Sequence, residues 1–437
     1  MKKFILVFAA LTTGIVYGQM PDTLSLYACH ELALKSFPTS GNSDLLSAAS
    51  EIRQKRLNTN YLPQVQLNGQ ATYQSDVTKV DVEIPPFYIP PPIDMQFTPA
   101  SPETPVPSND QYKFTMDIYQ VIYDGGITGK QKKVDQASYE IEKQQVEVEM
   151  HKLKENINQV YFSIIIMQEN KKLLAVLLNE LNTKLDDLQV ALKNGVALQA
   201  DADVLRAEII RIEQQINETE IQKDAFVRIL GKLISIELPS DIVLRLPVNN
   251  ITGKVIDPAR PELQLFDTQR LMLEESKGLI SSTWMPRLSG FGQLGYGNPG
   301  LNFLENKWTP YYIVGARLNW KIWNWNQNKK DKQILGLRQD IVDRNRQAFG
   351  KNLTMSLDQH QADIRKYEQL ISRDKEVIAL RKNIAQTASS QLDNGVITPS
   401  DYVSRLNEQA QALLNLEIHK VKLEKARIDY LTTLGIL

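Results

Sequence analysis

TGKQKKVDQASYEIEKQQVEVEMHKLKENINQVYFSIIIMQENKKLLAVLLNELNTKLDDLQVALK, residues 128–193, decides how this chain folds. The stretch has no proline, and glycine occurs only at its edges, in Asp124–Gly129 before it and at Gly195 after it. A 3-4 apolar stripe runs through it: Val146, Met150, Leu153, Ile157, Val160, Ile164, Met167, then Leu174, Leu178, Leu181, Leu185, Leu188 and Leu192. Only Lys171 interrupts it. Heptad spacing sustained this far predicts a coiled-coil-like helix over 128–193. At 1.5 Å per residue it is roughly 100 Å long, beyond what the core of one small domain covers.

Upstream of the helix the period changes to two. Val65, Leu67, Gly69, Ala71 and Tyr73 alternate with Gln66, Asn68, Gln70, Thr72 and Gln74, which predicts a strand at about 63–75. A second strand at about 112–123 sets Tyr112, Phe114, Met116, Ile118 and Ile122 against Lys113, Thr115, Asp117 and Tyr119. Between them, residues 76–111 hold nine of the 20 prolines and read as extended, non-sheet chain. Helical patterns precede the strands at Leu24–Phe37 and Asp44–Asn58, and a further helix from about Asp201 to Leu230 follows the turn at Asn194-Gly195. Residues 232–257 read as an irregular linker with β-like pieces such as Ile234–Leu238.

The whole pattern then repeats. Pro261–Ser282 is helical, and Trp284-Met285-Pro286 repeats Tyr61-Leu62-Pro63 at an offset of 223. Strands follow at about 286–297 and 311–323, then a long helix at about 329–392 and a last helix from about Ser400 to Leu434. The second long helix carries Leu353, Leu357, Ile364, Tyr367, Ile371, Ile378, Ala385, Ala388 and Leu392 in the same register, interrupted by His360, Asp374 and Arg381. Asn394-Gly395-Val396 matches Asn194-Gly195-Val196 at an offset of 200. The change of offset places the surplus in the proline-rich loop. The chain is a tandem helix–strand–strand–helix duplication, with one repeat over 19–231 and the other over 258–437.

Composition narrows the class. Of 437 residues, 42% are hydrophobic and 23% charged, which excludes a wholly disordered chain, and a net charge of −1 points away from nucleic acid. Residues 1–18 read as a secretory signal: Lys2-Lys3, an apolar run from Phe4 to Val16, and small residues before Gln19. Losing Lys2 and Lys3 takes the formal charge to about −3. Cys29, the only cysteine, allows no disulfide framework and is expected to be unmodified and partly buried. No run of 18 apolar residues occurs beyond the signal, but amphipathic strands of about 10 residues with aromatic ends are long enough to cross a bilayer at a tilt. Four strands cannot close a channel-sized barrel, and an open edge in lipid leaves backbone groups unpaired, so several chains must pool their strands. Lys113, Asp117, Arg317, Asn319 and Lys321 occupy the polar phase and are expected to line the lumen of such a barrel.

No catalytic constellation emerges, and no cofactor or metal is expected. His30, His151, His360 and His419 lack ligand spacing, and the segment ending in Gly129-Lys130 fails the phosphate-loop pattern.

These features resemble the outer-membrane efflux protein family, the TolC-like channels. The resemblance rests on the duplicated layout, Tyr61-Leu62-Pro63-Gln64-Val65, Trp284-Met285-Pro286-Arg287-Leu288, Ile122-Tyr123-Asp124-Gly125-Gly126, and Asp203–Glu208 shortly after Gly195-Val196. It implies a homotrimer with a twelve-stranded barrel in outer-membrane lipid, a twelve-helix periplasmic tunnel and an equatorial girdle to which 232–257 contributes. It implies a passive export conduit for an inner-membrane pump, joined through a periplasmic adaptor. Asp201, Asp203 and Asp401 are then candidates for an acidic constriction, although helix capping explains them equally well. Asn194, Gly195, Val196, Asn394, Gly395 and Val396 become adaptor-docking tips. A competing reading is a periplasmic coiled-coil adaptor, which has long helical hairpins but lacks duplicated membrane-length strands.

Overall fold

The computed structural model describes residues 23–100, 104–248 and 257–437. The expected signal at 1–18 lies outside the described residues, as do 249–256 of the linker. In chain order the elements are β1 (Thr23–Leu24), α1 (Leu26–Ser36), α2 (Asn42–Asn58), β2 (Gln64–Tyr73), β3 (Phe87–Ile89), β4 (Met95–Phe97), β5 (Asp110–Tyr123), α3 (Ile127–Lys193), α4 (Gln199–Leu233), β6 (Val243–Leu244), α5 (Pro261–Ser282), β7 (Arg287–Asn298), β8 (Thr309–Asn319), α6 (Gln327–Asp393) and α7 (Pro399–Leu434). The two long helices, α3 and α6, each have 67 residues.

The chain forms two compact units, and each draws on both sequence repeats. One takes in the chain up to Ser43, Gln144–Leu265 and Arg346–Leu437. Its core gathers Ile157, Tyr161, Phe162, Ile164, Leu181, Leu205, Ile212, Leu230 and Ile428, all fully buried. Burying one such side chain stabilises by about 1.5–3 kcal/mol. Three of the four residues that interrupt the apolar stripes reach polar or charged partners on neighbouring helices. Lys171 of α3 pairs with Glu220 of α4, Arg381 of α6 with Glu408 of α7, and Asp374 of α6 with His419 of α7 at 2.6 Å. Cys29 is fully buried on α1, and burial pushes its thiol up to about 12.

The other unit is Asp44–Lys143 with Phe266–Asn345. Its sheet is antiparallel with the order β2-β5-β7-β8. Close approaches across it explain two glycines. A Cβ on Gly295 would lie 2.1 Å from the ring of Tyr311 opposite it, and one on Gly315 would lie 2.8 Å from the ring of Phe291. Arg53 of α2 forms ion pairs with Asp135 and Glu142 of α3, each at 3.2 Å, and joins these helices.

Three expectations need correction. The proline-rich loop is not devoid of sheet, because β3 and β4 form a small hairpin with the Phe87 and Phe97 rings 5.4 Å apart. Its prolines, Pro85-Pro86 and Pro90-Pro91-Pro92, flank Phe87–Ile89 and leave those three N–H groups intact. Ile234–Leu238 is not strand-like: Ser235 has φ +58° and the Ile236 N–H bonds the Gly231 carbonyl at 2.9 Å, a turn that closes α4. The last strand stops at Asn319 rather than 323, because its partner begins at Arg287 and the preceding Pro286 has no N–H to offer. Lys321 therefore lies beyond the strand, exposed, and is not part of the sheet's polar row.

Candidate functional site

The polar face of the sheet holds the candidate lumen residues. Asp117 on β5 faces Gln66 of β2 and Gln293 of β7. Its carboxylate accepts from Gln293 Nε2 at 2.5 Å, Asn68 Nδ2 at 2.6 Å and Thr115 Oγ1 at 3.1 Å. Lys113 lies over the Tyr311 ring at 5.5 Å, and Arg317 over the Phe291 ring at 5.3 Å. Asn319 is the exposed last residue of β8. Lys113, Asp117, Arg317 and Asn319 thus share one face, and the aromatic rings on it serve as platforms for the two cations.

The faces of this sheet are inverted relative to a water-soluble one. On the polar face Thr115 and Ser289 are 9% and 5% exposed, whereas Leu67 and Val314 on the apolar face are 78% and 77% exposed. A soluble antiparallel sheet shelters its apolar face and wets the other. Edge strands β2 and β8 each pair on one side only among the described residues.

The two helical turns are near copies. After α3, the Gly195 N–H bonds the Leu192 carbonyl at 3.0 Å and the Val196 N–H bonds that of Ala191 at 3.0 Å. After α6, Gly395 and Val396 bond Leu392 and Gln391 at 3.0 and 2.8 Å. Both glycines are left-handed, at φ +73° and +66°, the geometry of a glycine C-cap. Asn194, Val196, Asn394 and Val396 are exposed. The next helices start alike. The Asp201 carboxylate accepts the Leu198 N–H at 3.2 Å, and that of Asp401 accepts the Thr398 N–H at 3.2 Å and its hydroxyl at 2.7 Å. The Thr398 hydroxyl and amide, with Arg405 nearby, hold the Asp401 carboxyl below the usual carboxylate range.

Asp201 is thus the counterpart of Asp401, 200 residues on. Asp203 is not a cap. It accepts from Gln199 Nε2 at 2.9 Å and lies 3.5 Å from an Arg206 nitrogen. Its counterpart, Val403, is buried in the core behind the turns with Leu181, Leu205, Tyr402 and Leu406.

One polar cluster escaped the sequence reading. Buried Arg260 bonds Glu262 Oε1 at 2.7 Å, Glu155 Oε1 at 3.0 Å and His151 Nε2 at 2.5 Å. His151 and Arg260 beside it hold the Glu155 carboxyl down to about 2. His30 bonds Asn158 at 2.8 Å, and Asn158 donates to Thr432 at 2.9 Å. Burial lowers the His30 pKa. These residues lie far apart in sequence, and no spacing signals them. Among the described residues, no three His, Cys, Asp or Glu side chains group as a metal site, and no helix is long and apolar enough to cross a membrane.

No protein-family description and no curated protein sequence matches the chain. Solved structures do. The outer membrane protein VceC from Vibrio cholerae superposes with a TM-score of 0.67 at 11% identity, covering 94% of this chain and 96% of that one. The chain has the fold of the TolC-like outer-membrane channels. This fold is shared with the Campylobacter jejuni CmeC outer membrane channel (TM-score 0.66, 14% identity, 94% and 85% covered). It is shared too with the open state of the Neisseria gonorrhoeae MtrE outer membrane channel (0.65, 14%, 94% and 88%). In the channel fold, the duplicated helix–strand–strand–helix order is the one read from the sequence.

Proposed function

We propose that this chain is the outer-membrane channel of a tripartite export system in a Gram-negative cell. The inverted sheet carries this reading. Its apolar face is matched to lipid and its polar face to water. Its two unpaired edges require strands from other copies, since open edges cannot persist in hydrocarbon. Three copies of a four-stranded sheet make a twelve-stranded barrel with Lys113, Asp117, Arg317 and Asn319 toward the lumen.

The helices carry the same requirement. On α6, Ile334, Leu337, Ile341 and Met355, spaced by 3, 4 and 14 residues in one heptad register, are half exposed or more. Neighbouring helices from other copies complete that seam and extend the channel as a tunnel. A periplasmic adaptor docks on the exposed turns at Asn194–Val196 and Asn394–Val396. Asp201, Asp203 and Asp401 tighten the mouth and favour cations. The channel is a passive conduit that does no chemistry, and an inner-membrane pump supplies the energy.

Extraction from membranes, purification in detergent, mass determination and single-channel recording in a planar bilayer test this reading. A trimer with steady conductance is expected. A soluble monomer without conductance overturns it.

A further inference from the structure

The two strand-to-helix turns differ. In the first repeat the turn is Asp124-Gly125-Gly126, with both glycines left-handed at φ +72° and +82°. Gly125 is irreplaceable on steric grounds, because a Cβ there would sit 2.7 Å from Met285 Cβ. The second repeat adopts the same backbone with Trp325 and Asn326 at φ +56° and +58°. Asparagine tolerates this region, whereas for tryptophan it is strained. Trp325 is nevertheless 78% exposed, so packing within the chain does not repay the strain.

Its neighbours are equally open. Trp320, Ile322 and Trp323 are each more than half exposed, and the Trp323 and Trp325 rings meet edge-on at 5.8 Å. Among the described residues, neither the Trp323 nor the Trp325 indole N–H has an acceptor, whereas Trp320 donates to the Trp284 carbonyl at 3.0 Å. Residues 320–332 carry four lysines and one carboxylate, Asp331. A cavity of about 640 Å³ opens here, lined by Lys277, Lys329, Lys332, Asn326, Asn328 and Trp284 among others. In the first repeat Lys132, the counterpart of Lys332, bonds Asn58, and Gly129 stands where the second repeat has Lys329.

We infer that this cavity, with the exposed tryptophans that precede Asn326 in the chain, binds the headgroup of an anionic phospholipid. Lys329 and Lys332 meet the phosphate, Asn326 and Asn328 offer amide donors, and the indoles of Trp323 and Trp325 lie in the interfacial layer. A lipid is the fitting occupant because exposed Trp320 and Ile322 continue the alternation of the sheet's apolar face beyond Leu318. Indoles with an unspent N–H suit the boundary between hydrocarbon and headgroup, and lysines there favour anionic lipid. The strained backbone aims Trp325 outward beside the cavity that Asn326 lines. The inference rests on the outer-membrane reading and adds a lipid class and a place to it.

The test titrates the full chain, purified in detergent, with phosphatidylglycerol or phosphatidylcholine brominated on the acyl chains, and follows loss of tryptophan emission. The wild type should be quenched at lower phosphatidylglycerol than phosphatidylcholine, with no displacement by inorganic phosphate. Lys329→Gln with Lys332→Gln should weaken the phosphatidylglycerol response about fivefold or more. Trp325→Asn, which suits the left-handed backbone, should reduce quenching without lowering the thermal midpoint, and Trp325→Tyr should restore part of it. Equal response to both lipids, displacement by phosphate, or unchanged response in the lysine variant overturns the inference. So does dissociation of the assembly in Trp325→Asn, which would make this face a contact between copies. Single-channel recording on the same preparation separates the two readings. Normal conductance without lipid preference sinks only the lipid site, whereas no conductance and no quenching by either lipid sinks the channel as well.

Discussion

His30 is 6% exposed and linked through Asn158 to Thr432 near the end of α7. Its pKa is lowered by burial, so the unfolded chain binds a proton more readily than the folded one. The resulting stability is complete above the unfolded value, 6.5, and is lost as pH falls toward the lowered folded value. His30→Gln keeps a donor for Asn158 and removes the titration. Its stability should vary less with pH below 6.5, flattening the slope by at most about 1.4 kcal/mol per pH unit. Chemical denaturation across that range measures it, and an unchanged slope would show that His30 does not drive the dependence. Glu155 has the same sign further down: its support is lost as pH falls from the ordinary 4.5 toward about 2. None of this was legible in the sequence. Arg260 meets His151 across 109 residues, and only tertiary packing decides such pairs. Lys171, Asp374 and Arg381 were visible as breaks in the stripes, but their partners Glu220, His419 and Glu408 were not.

At the scale of elements, the long helices, their turns and the two hairpins follow from periodicity and punctuation, whereas the pairing of β5 with β7 does not. The heptad stripes span α3 and α6, and Asn-Gly marks both turns. Strand ends were less legible, because they depend on what the neighbour can pair. Leu318, Trp320 and Ile322 continue the alternation in sequence, yet pairing stops at Asn319 for want of a partner beyond Arg287. The exposed positions Ile334, Leu337, Ile341 and Met355 of α6 do not stand out in the sequence, because charged residues surround them. The capping geometry makes a prediction here. Thr398 and Asp401 satisfy each other's backbone N–H groups at 3.2 Å, whereas at Leu198 only the aspartate carboxylate contributes. Thr398→Ala should therefore cost about 1 kcal/mol, and Leu198→Thr should gain a comparable amount. Thermal unfolding of the two variants would show shifts of opposite sign, and two shifts of the same sign would refute the capping argument.

For the whole molecule, the inside-out sheet was anticipated from amphipathic strands of membrane length, and the need for further copies from their number. The acidic residues near the turns are where sequence left two explanations open, capping and a constriction, and capping is seen at two of the three. Asp201 and Asp401 spend their carboxylates on helix caps. Asp203 stands off the cap, and its charge is the one to test in the mouth. Asp203→Asn should lower cation selectivity in planar bilayers and leave thermal stability within about 0.5 kcal/mol, as a surface change does. Unaltered selectivity would remove Asp203 from the constriction.

The likeness of the two helical turns has a consequence for symmetry. Each turn has the same left-handed glycine and the same capping carboxylate, 200 residues apart, so one chain presents two near-equivalent ends. In the trimer proposed above, three chains around an axis would present six. The differences between the repeats — Trp325 against Gly125, Asp203 against Val403, the long loop against the short one — occur once per chain and would repeat three times in that trimer. A ring of six identical subunits would thus find a similar foothold on every turn. A partner that reads Asp203 or the proline-rich loop would find only three places to bind.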